Sequence, residues 1–367
     1  MKISCLVENI EKHSGLLTKI IPVHAQVPIF SNILIEAKQD GFFLSTTDLD
    51  LGVRVKIPAK IEEEGAITVP GKQFLEVINS LPKDKVTFES VKESFVVRCR
   101  SNKISFQTIA KDEFPTLFEK KGKQVAKFTK KEFKNIFSKL VFAVSSDETR
   151  PVLTGVMLFQ KQEEAVFVAT DGYRLSLEKI AKKILEEMEE KLILSSRLIN
   201  EALLLKEEKE ILMHIFKEGN QVLFESSDVL LVGRLIEGDF PNYEKVIPSS
   251  WKTKFTINKE EMVQSLRLSS VFARESANIV KFKITDDALF LISKASGVGE
   301  GELKIEIEKE GEDNEISFNV KFLLDFLRSV ETDKIVLEIS SGVEPGLFRI
   351  SGEESFLHVI MPVRIQE

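Results

Sequence analysis

Apolar residues recur with a helical period at Phe133, Ile136, Phe137, Leu140, Val141 and Val144. Side chains three and four positions apart share one helix face, so the spacing predicts an amphipathic helix, with Thr129 as its N-cap. Ile10, Leu17 and Ile21 mark a second such helix, and Met262, Val263 and Leu266 a third. Elsewhere the period drops to two. Leu51, Val53, Val55 and Ile57 alternate with Asp50, Gly52, Arg54 and Lys56; Leu303, Ile305 and Ile307 alternate with Lys304 and Glu306; Ile104 and Phe106 alternate with Lys103, Ser105 and Gln107. Successive strand side chains point to opposite faces, so these read as half-buried antiparallel strands. Phe322, Leu323, Phe326, Leu327 and Val330 predict a shorter helix. The mixture is α+β: two helices packed on one face of an antiparallel sheet.

The pattern repeats. Asp112-Glu113-Phe114-Pro115-Thr116-Leu117 returns as Gly238-Asp239-Phe240-Pro241-Asn242-Tyr243, and Ser45-Thr46-Thr47-Asp48-Leu49 as Val168-Ala169-Thr170-Asp171-Gly172. A third series spans the chain. Ile67-Thr68-Val69-Pro70-Gly71-Lys72 matches Leu192-Ile193-Leu194-Ser195-Ser196-Arg197 and Ile316-Ser317-Phe318-Asn319-Val320-Lys321. Each is a strand running into a helix opened by a basic residue. One period of about 125 residues, in one order, predicts three tandem copies of one module. The charged segment Glu119–Gln124 and the segment Pro248–Lys252 read as linkers, so the modules are 1–122, 123–250 and 251–367.

Bulk properties narrow the class. The chain has 367 residues, 43% hydrophobic and 30% charged, as expected of a soluble globular protein of several domains. No run approaches the apolar length of a membrane span, and Glu8 interrupts any secretory h-region. Cys5 and Cys99 lack metal or redox spacing; a disulfide between them is the alternative to the first reading, buried free thiols of a cytoplasmic protein. Net charge is −7, which alone argues against nucleic acid. Over six helix segments (7–22, 72–81, 130–144, 197–206, 258–275, 321–330), however, the charge is +5, leaving −12 elsewhere. A basic residue at one equivalent position in every copy predicts a surface that faces phosphate. Catalytic chemistry lacks a constellation. His13, His24, His214 and His358 share no metal spacing, and no phosphate loop, HExxH or nucleophile elbow occurs. Asp171, repeated as Asp48, reads as structural.

Ala169-Thr170-Asp171-Gly172-Tyr173-Arg174-Leu175, Gly238-Asp239-Phe240-Pro241-Asn242-Tyr243 and Met361-Pro362-Val363-Arg364-Ile365, in that order, resemble the bacterial DNA polymerase III beta subunit family, the sliding clamps. The resemblance covers the full length. It implies a head-to-tail homodimer: a ring of six modules with helices lining the pore, encircling duplex DNA without sequence preference. Such a clamp would tether the replicative polymerase and bind the clamp loader and other proteins carrying a clamp-binding motif, with no catalytic residue, cofactor or metal of its own. A peptide pocket is implied at Leu153, Thr170, Gly172, Tyr173, Arg174, Leu175, Pro241, Val246, Val359, Ile360, Met361, Pro362, Val363 and Arg364. DNA-facing positions are implied at His24, where the family often carries Arg, and at Lys72, Arg197 and Lys321. A subunit seam is implied between Lys103, Ile104 and Phe106 and a partner's Val271, Phe272, Leu303 and Ile305. The family often has His or Phe at Tyr173, Arg at Lys245 and aromatics at Pro151 and Val152, and Gln366 and Glu367 extend past the usual terminus. The competing expectation is a monomeric repeat scaffold that binds protein partners and never encircles DNA; a third is a nucleotide-processing enzyme.

Overall fold

The computed structural model describes residues 1–25, 27–91, 94–115, 121–186, 191–205 and 210–364. Outside the described residues lie Glu119 and Lys120 of the first expected linker, Thr116 and Leu117 of the repeated Phe-Pro segment, the acidic residues Glu187, Glu189 and Glu190, and Ile365, Gln366 and Glu367.

One element order recurs three times, except that among the described residues the second copy has one strand fewer before its second helix. The first copy runs β1 (Lys2–Leu6), α1 (Val7–Ile20), β2 (Asn32–Lys38), β3 (Gly41–Thr47), β4 (Leu51–Ile57), β5 (Ala59–Glu63), β6 (Gly65–Pro70), α2 (Gly71–Ser80), β7 (Lys85–Val91), β8 (Ser94–Cys99) and β9 (Asn102–Gln107). The second runs β10 (Lys123–Phe128), α3 (Lys130–Ser138), β11 (Gly155–Lys161), β12 (Glu164–Thr170), β13 (Arg174–Ile180), β14 (Leu192–Ser195), α4 (Ser196–Leu203), β15 (Ile211–Phe216), β16 (Gln221–Ser226) and β17 (Val229–Arg234). The third runs β18 (Thr253–Asn258), α5 (Lys259–Ala273), β19 (Ile279–Ile284), β20 (Ala288–Ala295), β21 (Gly299–Glu306), β22 (Glu308–Gly311), β23 (Asn314–Asn319), α6 (Val320–Ser329), β24 (Lys334–Ile339), β25 (Gly346–Ile350) and β26 (Phe356–Ile360).

The compact units cut across this repeat. One comprises Met1–Lys130 and Asn200–Leu235, the other Lys131–Ile199 and Ile236–Glu367. The reason is sheet continuity. Each repeat builds two half-sheets, and half-sheets of successive repeats join edge to edge. In the first unit β4 pairs antiparallel with β17, Val53 opposite Leu231, giving the order β10-β15-β16-β17-β4-β3-β2-β6. In the second unit β13 pairs with β26, Ser176 opposite His358, giving β14-β11-β12-β13-β26-β25-β24-β18-β22. Among the described residues two half-sheets are not joined to another repeat: β9 ends β5-β1-β7-β8-β9, and β21 ends β21-β20-β19-β23.

Burial follows the sequence periods. Val7, Ile10, Leu17 and Ile20 form the inner face of α1, and Phe74, Leu75 and Ile78 that of α2. Phe42, Phe74, Phe88 and Phe95 are fully buried, with neighbouring ring centroids about 6 Å apart. Each such ring contributes about 2–3 kcal/mol by leaving water. In the third repeat Met262, Leu266, Leu323, Phe326 and Leu327 close one core over Phe282, Leu291, Phe318 and Leu337.

Two expectations need correction. The helix expected to continue to Val144 stops at Ser138. The Ser138 hydroxyl donates back to the Lys134 carbonyl, and the chain tightens into three-residue turns at Leu140 and Ala143. This turns Lys139 inward. It is 5% exposed and ion-paired with Glu178 and Glu353, so it adds nothing to a phosphate-facing surface. Over the observed helix bounds the net charge is +3, with +2 on α3 and +1 on α6. Both cysteines are buried free thiols, and burial pushes Cys5 up to about 12.

Candidate functional site

The hairpin between β12 and β13 builds the site. Thr170 Oγ1 donates to the Arg174 carbonyl and accepts from the Gly172 amide, while Asp171 Oδ1 accepts from the amides of Tyr173 and Arg174. The same bonds recur at the β3–β4 hairpin, where Thr47 Oγ1 donates to the Leu51 carbonyl and accepts from the Leu49 amide. There Asp48 Oδ1 accepts from the amides of Asp50 and Leu51. Asp171 is therefore a turn-former. The third residue takes positive φ in both copies, Gly172 at 92° and Leu49 at 84°, and glycine adopts this without strain.

The turn lifts Tyr173 into solvent at 62% exposure, and its carbonyl accepts from the Met361 amide. Behind it the Arg174 guanidinium donates to Asp171 Oδ2 at 3.1 Å and to Asp325 Oδ2 at 2.8 Å. It also lies 4.5 Å from the Phe322 ring centroid and 5.4 Å from that of Phe142. The Arg174 side chain is only 9% exposed because it is paired on two sides, and it locks the hairpin to α6. Leu175 then sits opposite Val359 across the β13–β26 seam.

A cleft of about 200 Å³ opens over this seam. Of the residues expected there, Leu153, Thr170, Gly172, Tyr173, Arg174, Leu175, Pro241, Val246, Val359 and Met361 line it. Ile360 does not, since its side chain lies in the core of the third repeat. Pro362 does not line it either, and Val363 and Arg364 line a separate groove of about 720 Å³. The reason is an extended C-terminal segment: the Val363 amide donates to the Ser317 carbonyl, which carries the chain onto the edge of β23. Asn242 and Tyr243 line the cleft and were missed. The signal was present, since both belong to the repeated Phe-Pro segment. Tyr243 is buried, and burial pushes its hydroxyl above its usual range. The lining is mostly aliphatic and aromatic with a few orienting polar groups, the make-up of a short-peptide site.

Lys72, Arg197 and Lys321 are each the second residue of α2, α4 and α6. Arg197 and Lys321 are exposed and Lys72 half-buried. A cation in a first helical turn opposes the helix dipole by roughly 0.3–1 kcal/mol. Three such placements are therefore a cost that helix formation does not explain. His24 is exposed in the loop after α1. At the open edges, Ile104 and Phe106 are half-buried and Lys103 exposed on β9, and Leu303 is half-buried on β21. Val271 is 57% exposed, and Phe272 lies over Gly299 and Gly301 of β21. Ile305 departs from expectation: at 1% exposure it belongs to its own core, so only its backbone edge is open. Among the described residues no group of His, Cys, Asp and Glu is arranged to hold a metal, and no helix is long and apolar enough to cross a membrane.

Tandem modules of two helices and antiparallel half-sheets, joined edge to edge, define a DNA-clamp architecture. Family models for the N-terminal, central and C-terminal domains of the DNA polymerase III beta subunit match residues 1–118, 127–242 and 244–364. A beta sliding clamp of Bacillus subtilis is 30% identical over 372 residues, covering 98% of this chain and 97% of that protein. One from Staphylococcus aureus is 28% identical over 358 residues, covering 94% of each. The crystal structure of a Bacillus subtilis DNA polymerase sliding clamp superposes with a TM-score of 0.93 at 27% identity. That of the Thermotoga maritima beta subunit does so at 0.90 and 27%, each covering 100% of both chains. The chain belongs to the DNA polymerase III beta subunit family.

Proposed function

We propose that two copies of this chain close head to tail into a ring that slides on duplex DNA, a non-catalytic, cytoplasmic processivity factor. The observation that carries the reading is the pattern of seams. β4 joins β17 and β13 joins β26, and by element order β21 is the third equivalent of β4 and β13, as β9 is of β17 and β26. Repeating the seam between copies pairs β21 with the partner's β9 and leaves no open edge at either; a heterologous contact that closes forms a ring rather than a fibre. Register carries over as well. Val53 faces Leu231 and Ser176 faces His358, so Gly301 faces the partner's Ile104.

Lys72, Arg197 and Lys321, with His24, then present weak, sequence-independent contacts to phosphate. Boundaries between modules fall near 122 and 250. The cleft beside Leu175 takes a short hydrophobic segment of the replicative polymerase subunit, the clamp loader or another partner, which the ring holds on DNA. The test is retention. Protein loaded on circular DNA should stay through a high-salt wash and be lost when the circle is cut. Retention unchanged by linearisation, or a strictly monomeric species by analytical ultracentrifugation at micromolar concentration, would favour the monomeric scaffold instead.

A further inference from the structure

After its last strand, each repeat runs an extended segment onto the edge of its own half-sheet, and in the first two repeats the segment goes on to cover a face of that sheet. The anchors are equivalent. Ile109 bridges Thr68 on β6, the Ile236 amide donates to the Ile193 carbonyl on β14, and the Val363 amide donates to the Ser317 carbonyl on β23. In the first repeat the segment continues to Asp112-Glu113-Phe114-Pro115, and Phe114 is buried on Leu34. In the second it continues to Gly238-Asp239-Phe240-Pro241, and Phe240 and Tyr243 cover Met157, Val168 and Ile193.

The registers place Lys281, Ile292 and Ser317 where Met157, Val168 and Ile193 stand in the second repeat. In the third repeat these residues floor the groove of about 720 Å³ formed among the described residues. We propose that this groove is the third Phe-Pro seat, and that it takes in trans an extended segment of a protein partner in which acidic residues precede Phe-Pro.

Charge favours that occupant. The seat carries Lys281 where the first repeat has Leu34, and Lys294 where it has Thr47. Lys281 is held by Glu315 and Lys294 by Glu300, each at the surface, while Arg364 forms no ion pair among the described residues. Asp112-Glu113 and Asp239 show the matching sign in the two segments already seated. The groove is separate from the cleft described above but close to it along the chain, since Met361 lines one and Val363 the other, two residues apart. A partner engaged in the cleft has a second anchor within reach.

The probe is a fluorescein-labelled peptide of the chain's own residues 107–115, titrated against the intact protein by anisotropy. Saturable binding is expected, lost when the peptide's Phe is replaced by Ala. Ile292→Glu should weaken binding roughly tenfold or more, as removal of an apolar anchor does. Lys294→Glu, an exposed change that leaves folding intact, should weaken it less but measurably. Val246→Glu, in the cleft, should leave it unchanged. A peptide that does not bind, or that is displaced by Val246→Glu and not by Ile292→Glu or Lys294→Glu, would overturn the proposal. Neither result depends on ring formation.

Discussion

Replacing Arg174 by Met separates an arginine that contacts ligand from one that builds the site. The guanidinium holds Asp171 and Asp325 at 3.1 and 2.8 Å and lies over two aromatic rings, with its side chain 9% exposed. Removing one partner of a buried ion pair costs about 3–5 kcal/mol. Two features reduce the figure here. Asp325 is 38% exposed and rehydrates, and Asp171 keeps its two backbone donors. Methionine retains most of the packing but loses a cation–π contact worth about 0.5–2 kcal/mol. The expected loss is about 3 kcal/mol, confined to the second compact unit. Hydrogen exchange of β13 and β26 amides should rise by about two orders of magnitude, while β3 and β4 in the first unit are unaffected. Asp325→Asn should cost only about 1 kcal/mol. If Arg174→Met left β13 and β26 protection unchanged while abolishing binding of a clamp-motif peptide, Arg174 would be a ligand-contacting residue and the structural account wrong.

Gly172→Ala should cost about 1 kcal/mol through positive φ alone, since its nearest neighbour leaves room for a Cβ, and Leu49→Gly should stabilise the equivalent turn by a similar amount in urea melts. Burial raises the Glu178 carboxyl above its ordinary 4.5 despite Lys139, so its favourable contribution is full below that value and is lost as pH rises through the raised one. Glu178→Gln should therefore hold or raise the melting temperature at pH 7, whereas Lys139→Met, which strands the carboxylate, should lower it. His358 is fully buried and held well below its ordinary 6.5 by burial and by Arg174, so the stability from keeping it neutral is full above 6.5 and drains as pH falls below it. The slope this group adds should approach 1.4 kcal/mol per pH unit and be lost from the total in His358→Gln, read by melts from pH 7 to 5. Ile104→Cys mixed with Gly301→Cys should give an intermolecular disulfide on mild oxidation; absence of the cross-link, with both variants folded, would refute the proposed register.

The module and its threefold recurrence were legible because their signals are local. Alternation at Leu51–Ile57 and the Phe-Pro pairs need no knowledge of distant residues. The joining of half-sheets was not legible, because Val53 and Leu231 look like residues of any half-buried strand and nothing in either names its partner. Distance in sequence hid the other departures too. Lys139 sits in a basic helical run and reads as solvated, but its carboxylates are 39 and 214 residues away. Arg174 reads as a ligand contact until Asp325, 151 residues on, is seen to hold it. The resemblance implies a place for Ile305 at the seam, whereas its own alternation with Lys304 and Glu306 marks an inward face.

One frame used three times does not give three equal sites, and the inequality has a physical logic. At the β4–β17 seam Leu51 and Gly52 stand where the β13–β26 seam has Arg174 and Leu175, on the same hydrogen-bonded turn. Gly52 offers no apolar wall opposite Val232, whereas Leu175 opposite Val359 does. A peptide site draws most of its energy from one or two buried anchors, so a single seam suffices and the others are free to diverge. Contact with duplex phosphate works the other way. Each cation contributes little and independently, so retention of a mobile polyanion grows with the number of copies. On the proposed reading this is why a basic second residue persists on α2, α4 and α6 against the helix dipole, while the cleft is built once.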